Sequence, residues 1–181
     1  MTQAGNPELS PHYYRDNFLA LCDTVEEQYG DLLAPGELQF LAHFRQLDFD
    51  AQCLFVRLVS RVGPWFRESK LAYPELGAIP PIVDELLAAG LVEEAAGLSL
   101  EELAGLCTLP ELLRATDLGL SSPAPRGKAA LLAAIAELSL DAKDYLRLAG
   151  AVDSGRIITP CGLVEVEVLQ LLFFGNRHQG L

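Results

Sequence analysis

The sequence predicts a mainly α-helical fold with a few short strands. Three observations support this fold class. Apolar residues recur at steps of three and four, most clearly over residues 13–29; the candidate strands are short, as at residues 91–94; and Gly or Pro separates neighbouring segments. With 181 residues, 50% of them hydrophobic, the chain can bury a core divided between two small subdomains.

Composition argues against membrane and secreted proteins. No apolar run reaches the ~18 residues that cross a bilayer, and the first residues, MTQAGNPELSP, have neither the basic nor the apolar region of a signal peptide. We therefore expect a cytoplasmic protein with no membrane partner. The cysteines form no CxxC pair and have no histidine nearby, so we expect reduced, buried thiols and no metal site at Cys22, Cys53, Cys107 and Cys161.

Positive charge is concentrated in one stretch of an acidic chain. The formal net charge is −12, yet four of the 13 Lys and Arg residues lie between Arg57 and Lys70, where only Glu68 opposes them. The negative total argues against a nucleic-acid binder that is basic throughout. A local concentration of cations instead predicts a surface for an anionic partner, the alternative being a helix with a solvated basic face.

Three helices are predicted before this stretch ends. An amphipathic helix spans residues 13–29, and a second begins after the break at Pro35 and Gly36. The third is short and largely buried, with Asp50 as its N-cap and Gly63-Pro64 after its end. It places Arg57 and Arg61 four residues apart on one face.

Residues 65–73 are predicted to form a strand, because they include two aromatic residues and no glycine and are followed by a proline. Arg67 and Lys70 project from this strand and could meet a phosphate backbone together with the basic residues of the preceding helix. Trp65 offers a flat indole beside them, although core packing is the interpretation we favour for Trp65 and Phe66.

The next segment completes a winged-helix-like unit. Prolines at the start of a helix are followed by a buried face at residues 82–87, a C-cap at Gly90 and a strand at residues 91–94. Helix, strand, helix and strand over residues 50–94 is the order expected of such a unit, in which a short sheet packs on the last helices.

Two capping boxes open short helices, Ser99 with Glu102 and Thr108 with Glu111. The loop SSPAPRG and an apolar helix follow. This arrangement resembles the SAP motif, a small helical module that binds duplex DNA, through Gly119-Leu120, Gly127-Lys128 and Leu131-Leu132. The loop is longer than in typical members, and alanine or isoleucine occupies residues 134–136, where a basic residue is usual.

The C-terminal part is predicted to contain a helix over residues 141–148, an extended piece at residues 156–159 and an apolar segment at residues 163–174. The last segment is too apolar for a solvent-facing tail and should pack on other residues. We therefore expect the chain to be a piece of a longer protein, with domains at 1–98, 99–140 and 141–181, the last leading to a region beyond residue 181.

These motifs together resemble the N-terminal part of the Fanconi-associated nucleases in their bacterial form. The resemblance rests on YYRDNFLALCDTV, CLFVRLVSRVGPWFRESKLAYPEL, IVDELLAAGLV, the SAP-like stretch and LLFFGNRHQ, in that order. It implies a metal-dependent, structure-selective DNase of interstrand cross-link repair that cuts 5′ flaps and degrades from 5′ ends. The catalytic carboxylates and lysine of that family lie in a C-terminal nuclease domain of the VRR type.

The resemblance implies a DNA-positioning segment without catalytic residues of its own. Glu165-Val166-Glu167 lacks a lysine two residues further on and is interpreted as part of a helix. No cofactor is expected in this segment, and Mg²⁺ or Mn²⁺ is implied for the nuclease domain. The implied partners are branched or 5′-flap DNA and the protein's own nuclease region. We expect association with the bacterial nucleoid; the oligomeric state stays open, with a monomer favoured. The expected DNA contacts are Arg57, Arg61, Arg67 and Lys70, with Arg126 and Lys128 in the SAP-like module.

Two alternatives stay open at this point. Arg57 could pair with a carboxylate such as Asp84 or Glu85 instead of DNA. More broadly, the chain could be an acidic helical adaptor that binds protein through its apolar C-terminal stretch, with the basic cluster as an internal salt-bridge network. A winged-helix transcriptional regulator is a third possibility, but it would need a dimer and a palindromic site.

Overall fold

Helices make up most of the structure. The computed structural model describes residues 9–115, 127–137, 150 and 155–175. The helices are α1 (Tyr13–Tyr29), α2 (Pro35–Gln46), α3 (Phe49–Val59), α4 (Ile79–Ala88), α5 (Leu100–Leu106), α6 (Leu109–Ala115), α7 (Lys128–Glu137) and α8 (Leu163–Gly175), with single turns of 3-10 helix at Gly30–Leu32 and Glu68–Lys70. The predicted fold class is confirmed.

Three short strands complete the fold: β1 (Phe66–Arg67), β2 (Val92–Glu94) and β3 (Ile157–Pro160). They form one sheet in the order β1-β3-β2, so that the last strand in sequence lies between the other two. β1 is antiparallel to β3, with Phe66 opposite Ile158 and Arg67 opposite Ile157.

The predicted strand over residues 65–73 is wrong for most of its length. Only Phe66–Arg67 form a strand, and the chain then turns through Glu68–Lys70, where the Leu71 N–H donates to the Glu68 carbonyl at 3.1 Å. The Glu68 N–H donates to the carbonyl of Arg156 at 2.8 Å, and the buried Glu68 carboxylate accepts from Arg156 Nε at 2.6 Å. These contacts favour the turn over a longer strand.

The described residues divide into two compact units. The first contains residues 9–64, 72–93 and 160–175, and the second contains residues 65–71, 94–115, 127–137 and 155–159. Several predicted features, Gly119-Leu120, Arg126, most of the SSPAPRG loop and the helix at residues 141–148, lie outside the described residues.

The core of the first unit is built around α3, which is buried at nearly every position from Ala51 to Leu58. α3 packs against α1 and α4, while α8 packs against α1 and α2. Aromatic rings fill the space between them: Phe44 lies 5.0 Å from Phe18 and 5.8 Å from Phe55 between ring centroids. The predicted burial of α3 is confirmed, although its N-cap is Asp48, and Asp50 instead accepts a hydrogen bond from the Gly77 N–H at 3.2 Å.

The apolar helix α8 packs on two other helices and covers part of the core of the first unit. Val166 and Leu169 are buried, and the helix contacts both α1 and α2. Just before the helix, Gly162 has a φ of 81°, and a Cβ there would lie 2.9 Å from the Phe40 ring. Only glycine allows this close approach of the backbone to the aromatic core.

The turn after α4 has the predicted glycine. Gly90 has a φ of 72°. The Leu91 N–H donates to the Leu86 carbonyl at 3.0 Å, and the Gly90 N–H donates to the Leu87 carbonyl at 3.1 Å. This is the Schellman pattern, which ends the helix and satisfies its last carbonyls.

The cysteines are free, and three of the four are buried; Cys161 is half-buried. Burial raises the pKa of Cys22 to about 12 and that of Cys161 to about 11. Thiols with such pKa values stay protonated at neutral pH and are weak nucleophiles.

Candidate nucleic-acid interface

The predicted DNA contacts fall into two groups, one in each unit. Arg57 and Arg61 belong to the first unit, and Arg67, Lys70 and Lys128 belong to the second. Arg126 lies outside the described residues. Exposure and hydrogen bonding differ sharply among the five that are described.

Arg57 lies on α3 and forms an ion pair with Glu75. Its Nε and Nη2 atoms donate to Glu75 Oε1 at 3.1 and 2.6 Å. Its guanidinium lies over the Tyr14 ring, 4.0 Å from the centroid, and 5.3 Å from the centroid of Tyr73. The ion pair that the sequence left open as an alternative thus exists, but the carboxylate is Glu75 instead of Asp84 or Glu85.

Tyr14 completes this site. Its hydroxyl donates to Glu75 Oε1 at 3.0 Å. Burial raises the pKa of Tyr14 far above its ordinary value, so the hydroxyl stays a donor. Burial would also raise the pKa of Glu75, but hydrogen bonds from Arg57, the backbone and Tyr14 together lower it. Glu75 is therefore ionised at neutral pH and compensates the charge of Arg57.

Arg61 is exposed one turn further along the chain. Its Nη1 donates to the hydroxyl of Tyr73 at 3.0 Å. The residues that follow α3 are hydrogen-bonded to its last turn. The Arg61 N–H donates to the Leu58 carbonyl at 3.3 Å, and Ser60 Oγ donates to the Val56 carbonyl at 2.7 Å. Tyr73 therefore contacts both arginines, Arg57 through its ring and Arg61 through its hydroxyl.

Arg67 is buried within the second unit, with 5% of its surface exposed. Its Nη1 and Nη2 atoms donate to Glu111 Oε2 and Oε1 at 2.7 and 3.1 Å, and Nη1 also lies 3.3 Å from the Leu106 carbonyl. The Thr108 N–H donates to the same carboxylate at 2.7 Å. These hydrogen bonds, that from Arg67 above all, lower the pKa of Glu111 to about 2. A buried two-point ion pair thus joins β1 to α6.

Both predicted lysines of the second unit are more accessible. Lys70 Nζ lies 3.8 Å from Glu111 Oε1, with 55% of its side chain exposed. Lys128 begins α7 and is half-buried; its Nζ donates to the Gly105 carbonyl at 2.6 Å, in the last turn of α5. A lysine there is favourable for the helix dipole and links the two helices.

Sequence reasoning missed the acidic partners of the basic stretch. Glu111 was recognised only as a capping-box residue, and both boxes are present: the Glu102 N–H donates to Ser99 Oγ at 3.1 Å, and the Glu111 N–H lies 3.4 Å from Thr108 Oγ1. No local signal shows that Glu111 also pairs with Arg67, because the partners are 44 residues apart. The position of Glu75, directly after the basic stretch, was a usable hint.

In the described part of the chain, no group of three or more His, Cys, Asp or Glu side chains is placed to hold a metal ion. Glu165 and Glu167 lie on α8, on either side of the buried Val166. No helix in the described ranges combines the length and hydropathy needed to cross a bilayer.

Two family models match the chain. The model described as "FAN1, HTH domain" matches residues 12–93, and that described as "Fanconi anemia-associated nuclease SAP domain" matches residues 97–145. The winged-helix-like unit predicted at residues 50–94 lies within the first range except for its last residue, and the SAP-like stretch predicted at residues 99–140 lies within the second.

Relatives from bacteria, plants and animals carry the same name. The Fanconi-associated nuclease 1 homolog of Pseudomonas aeruginosa is 44% identical over 102 residues, which are 56% of this chain and 18% of the relative. The homolog of Oryza sativa subsp. japonica is 31% identical over 105 residues (55% and 11%). Human Fanconi-associated nuclease 1 is 35% identical over 104 residues (55% and 10%).

Solved structures extend the similarity to nearly the whole chain. The crystal structure of paFAN1 bound to 2nt 5′-flap DNA with a gap matches 97% of this chain with a TM-score of 0.76 and 36% identity, and the match covers 31% of that chain. The complex with 1nt 5′-flap DNA with a gap matches 94%, with a TM-score of 0.73 and 35% identity, again covering 31% of that chain. The chain thus spans less than a third of these solved relatives, and with matches to both the HTH and the SAP model it belongs to the Fanconi-associated nuclease family.

Proposed function

We propose that this chain is the DNA-binding region of a structure-selective, metal-dependent DNA repair nuclease. It holds the duplex arms of branched or 5′-flap DNA for the nuclease region of the same protein, during flap cleavage, 5′-to-3′ degradation and interstrand cross-link repair. The observation that carries this proposal is the match of 97% of the chain to paFAN1 bound to 5′-flap DNA. In the cell, this function would associate the protein with the bacterial nucleoid.

The proposed domains are 1–98, 99–140 and 141–181. The family matches at residues 12–93 and 97–145 support a division near residue 98. The packing of α8 on α1 and α2 supports a role for the last segment in completing the N-terminal domain.

Within the predicted set of DNA contacts, exposure suggests a division of roles. Arg61, Lys70 and Lys128 are proposed to contact phosphates directly, because their cationic groups are the more accessible in the described part of the chain. Arg126, which lies outside the described residues, is proposed as a fourth contact. Arg57 and Arg67 are proposed to act mainly by holding Tyr73 and β1 in place, because each is engaged with a carboxylate. The acidic remainder of the chain would repel DNA from its other faces.

Cleavage is proposed to need residues outside this chain. Mg²⁺ or Mn²⁺ would be held there by carboxylates, which is the chemistry that phosphodiester hydrolysis requires. The chain alone should therefore leave labelled 5′-flap DNA intact when either metal is added.

Binding at low salt tests the proposal. Fluorescence anisotropy would compare a 5′-flap, a nicked duplex and a continuous duplex, each in two unrelated sequences. We expect binding to all three, preference for the branched DNA and little effect of sequence. Arg61→Gln and Lys128→Gln should each weaken binding about fivefold, similarly for every sequence.

Arg45→Gln is the matched control. It removes one positive charge from a guanidinium that pairs with Asp23 and Glu26 at 2.8 and 2.6 Å, away from the proposed contacts in sequence. Its affinity should stay close to that of the unmodified chain. Equal losses in Arg45→Gln and Arg61→Gln would show a general charge effect, and no binding by the unmodified chain would overturn the proposal.

A further inference from the structure

The turn that follows α3 exposes an apolar side chain beside a cation. We define the Val62 turn as residues 60–63. Val62 is 99% exposed, the highest value among the large apolar side chains of the described residues, and its neighbour Arg61 is exposed as well. Single exposed apolar residues are common on protein surfaces, so exposure alone would carry no conclusion.

Hydrogen bonds at the base of the turn distinguish Val62 from an apolar side chain on a loosely held surface loop. The Ser60 N–H donates to the Val56 carbonyl at 3.1 Å, beside the bond from Ser60 Oγ, and the Arg61 N–H donates to the Leu58 carbonyl at 3.3 Å. The Arg61 side chain reaches Tyr73 at 3.0 Å. The residue before Val62 is thus fixed by both backbone and side chain, and Val62 extends from an ordered base.

Tyr73 is itself held in place. Its ring lies 5.3 Å from the guanidinium of Arg57, which is bound by Glu75. The chain of contacts therefore runs from a half-buried ion pair through a tyrosine to an exposed arginine. Fixing the Arg61 side chain in advance lowers the entropy that binding would otherwise cost.

A ligand for this turn must offer an anion next to an apolar surface. A continuous DNA duplex offers phosphates but hides the faces of its bases by stacking. At a branch or nick, stacking is interrupted, and the face of the terminal base pair can be covered by an apolar side chain, as in proteins that insert apolar residues between base steps.

We propose that Val62 packs against the base pair exposed at a DNA branch while Arg61 contacts an adjoining phosphate. This inference rests on the proposed function and deepens it, because it assigns recognition of the branch to one residue. Arg61 would contribute affinity for any duplex, whereas Val62 would contribute the preference for branched DNA.

Val62→Ala tests this assignment in the 181-residue chain. Dissociation constants would be measured for a 5′-flap and for a continuous duplex of the same sequence, with 2-aminopurine placed beside the branch to report unstacking. Removing two buried carbons should reduce the preference for the flap about tenfold. Affinity for the continuous duplex and its salt dependence should not change, and the 2-aminopurine signal of the flap complex should fall.

Two further variants separate the role of Val62 from a general effect on DNA binding. Arg61→Gln should weaken binding to both DNAs and keep their ratio. Leu32→Ala is the matched apolar control, because Leu32 is 75% exposed and follows the acidic Asp31; it should change neither value. Because Val62 makes so little contact with the protein, its replacement should leave the melting temperature unchanged.

The outcomes separate this inference from the function on which it rests. An unchanged flap-to-duplex ratio in Val62→Ala, with DNA binding intact, overturns the role of Val62 and leaves the proposed function standing. A chain that binds neither DNA overturns both.

Discussion

The ion pair between Arg67 and Glu111 is the interaction on which the second unit should depend most. Both residues are buried, and the pair is held at two points, with the Leu106 carbonyl and the Thr108 N–H satisfying further hydrogen bonds. Removing one partner of such a pair leaves an uncompensated charge out of water, and this costs far more than the loss of a surface ion pair.

We predict that Glu111→Gln destabilises the chain by about 3 kcal/mol, in the range measured for broken buried ion pairs. Urea unfolding followed by circular dichroism would measure the change. Arg45→Gln serves as the control, since it breaks an exposed pair and should cost less than about 1 kcal/mol. Similar losses for both variants would contradict a special role for the buried pair.

The same carboxylate predicts how stability depends on pH. Its pKa is lowered from 4.5 to about 2 in the folded chain, so between these values the unfolded chain binds more protons. The contribution of Glu111 is complete above its unfolded pKa and is lost as the pH falls from about 4.5 through 2. Urea midpoints across this window should fall more steeply for the unmodified chain than for Glu111→Gln; parallel curves would contradict the assignment.

Charge density identified the basic stretch from sequence alone, but it could not show which of its cations are held by carboxylates distant in sequence. Glu111 is 44 residues from Arg67 and is not visible in a local pattern, whereas Glu75, 18 residues from Arg57, directly follows the basic stretch. DNA contact by any of the six predicted residues stays a prediction.

Among the elements, α4 is followed by a glycine and α5 contains one, and these two glycines have opposite roles. Gly90 ends α4 in a left-handed conformation, with a φ of 72°, whereas Gly105 lies inside α5. A Cβ at either position would meet no atom within 4 Å, so backbone conformation alone decides the effect of a side chain.

We predict changes of opposite sign for the two alanine variants. Gly90→Ala should destabilise the chain by about 1 kcal/mol, because an L-residue is strained at positive φ. Gly105→Ala should stabilise it by roughly 0.5–1 kcal/mol, because alanine has the higher helix propensity. Thermal and urea unfolding of both variants would test this. If both alanines changed the free energy of unfolding in the same direction, side-chain contacts would matter more than backbone conformation.

Elements with strong local signals were predictable. The periodicity of residues 13–29 matches α1 at both ends, the two capping boxes open α5 and α6, and the strand at residues 91–94 became β2. The failure at residues 65–73 has a tertiary cause. Contacts with Arg156, far away in sequence, fix a turn where β-propensity favours extension.

For the whole molecule, the number of phosphates that its cations contact decides how binding should respond to salt. A chain with a charge of −12 can neutralise only the few phosphates reached by its exposed cations. If Arg61, Lys70, Lys128 and Arg126 make the contacts, the slope of log K against log salt should be about −3 to −4.

Anisotropy titrations from low to moderate salt would measure this slope. Arg61→Gln should make it shallower by about 1, because one phosphate contact is lost. Arg45→Gln again provides the comparison and should leave the slope unchanged. A slope steeper than about −6 would require many more contacts than the exposed cations provide.

The packing of α8 on α1 and α2 has a consequence for synthesis. The first unit needs residues 160–175 to cover the apolar face of a helix that begins at Tyr13. On the ribosome, α1 can pack against α3 early, but its contacts with α8 can form only after residues 163–175 have been synthesised. Until then, the apolar surface of α1 and α2 that α8 covers in the folded unit stays open to other binding partners such as chaperones.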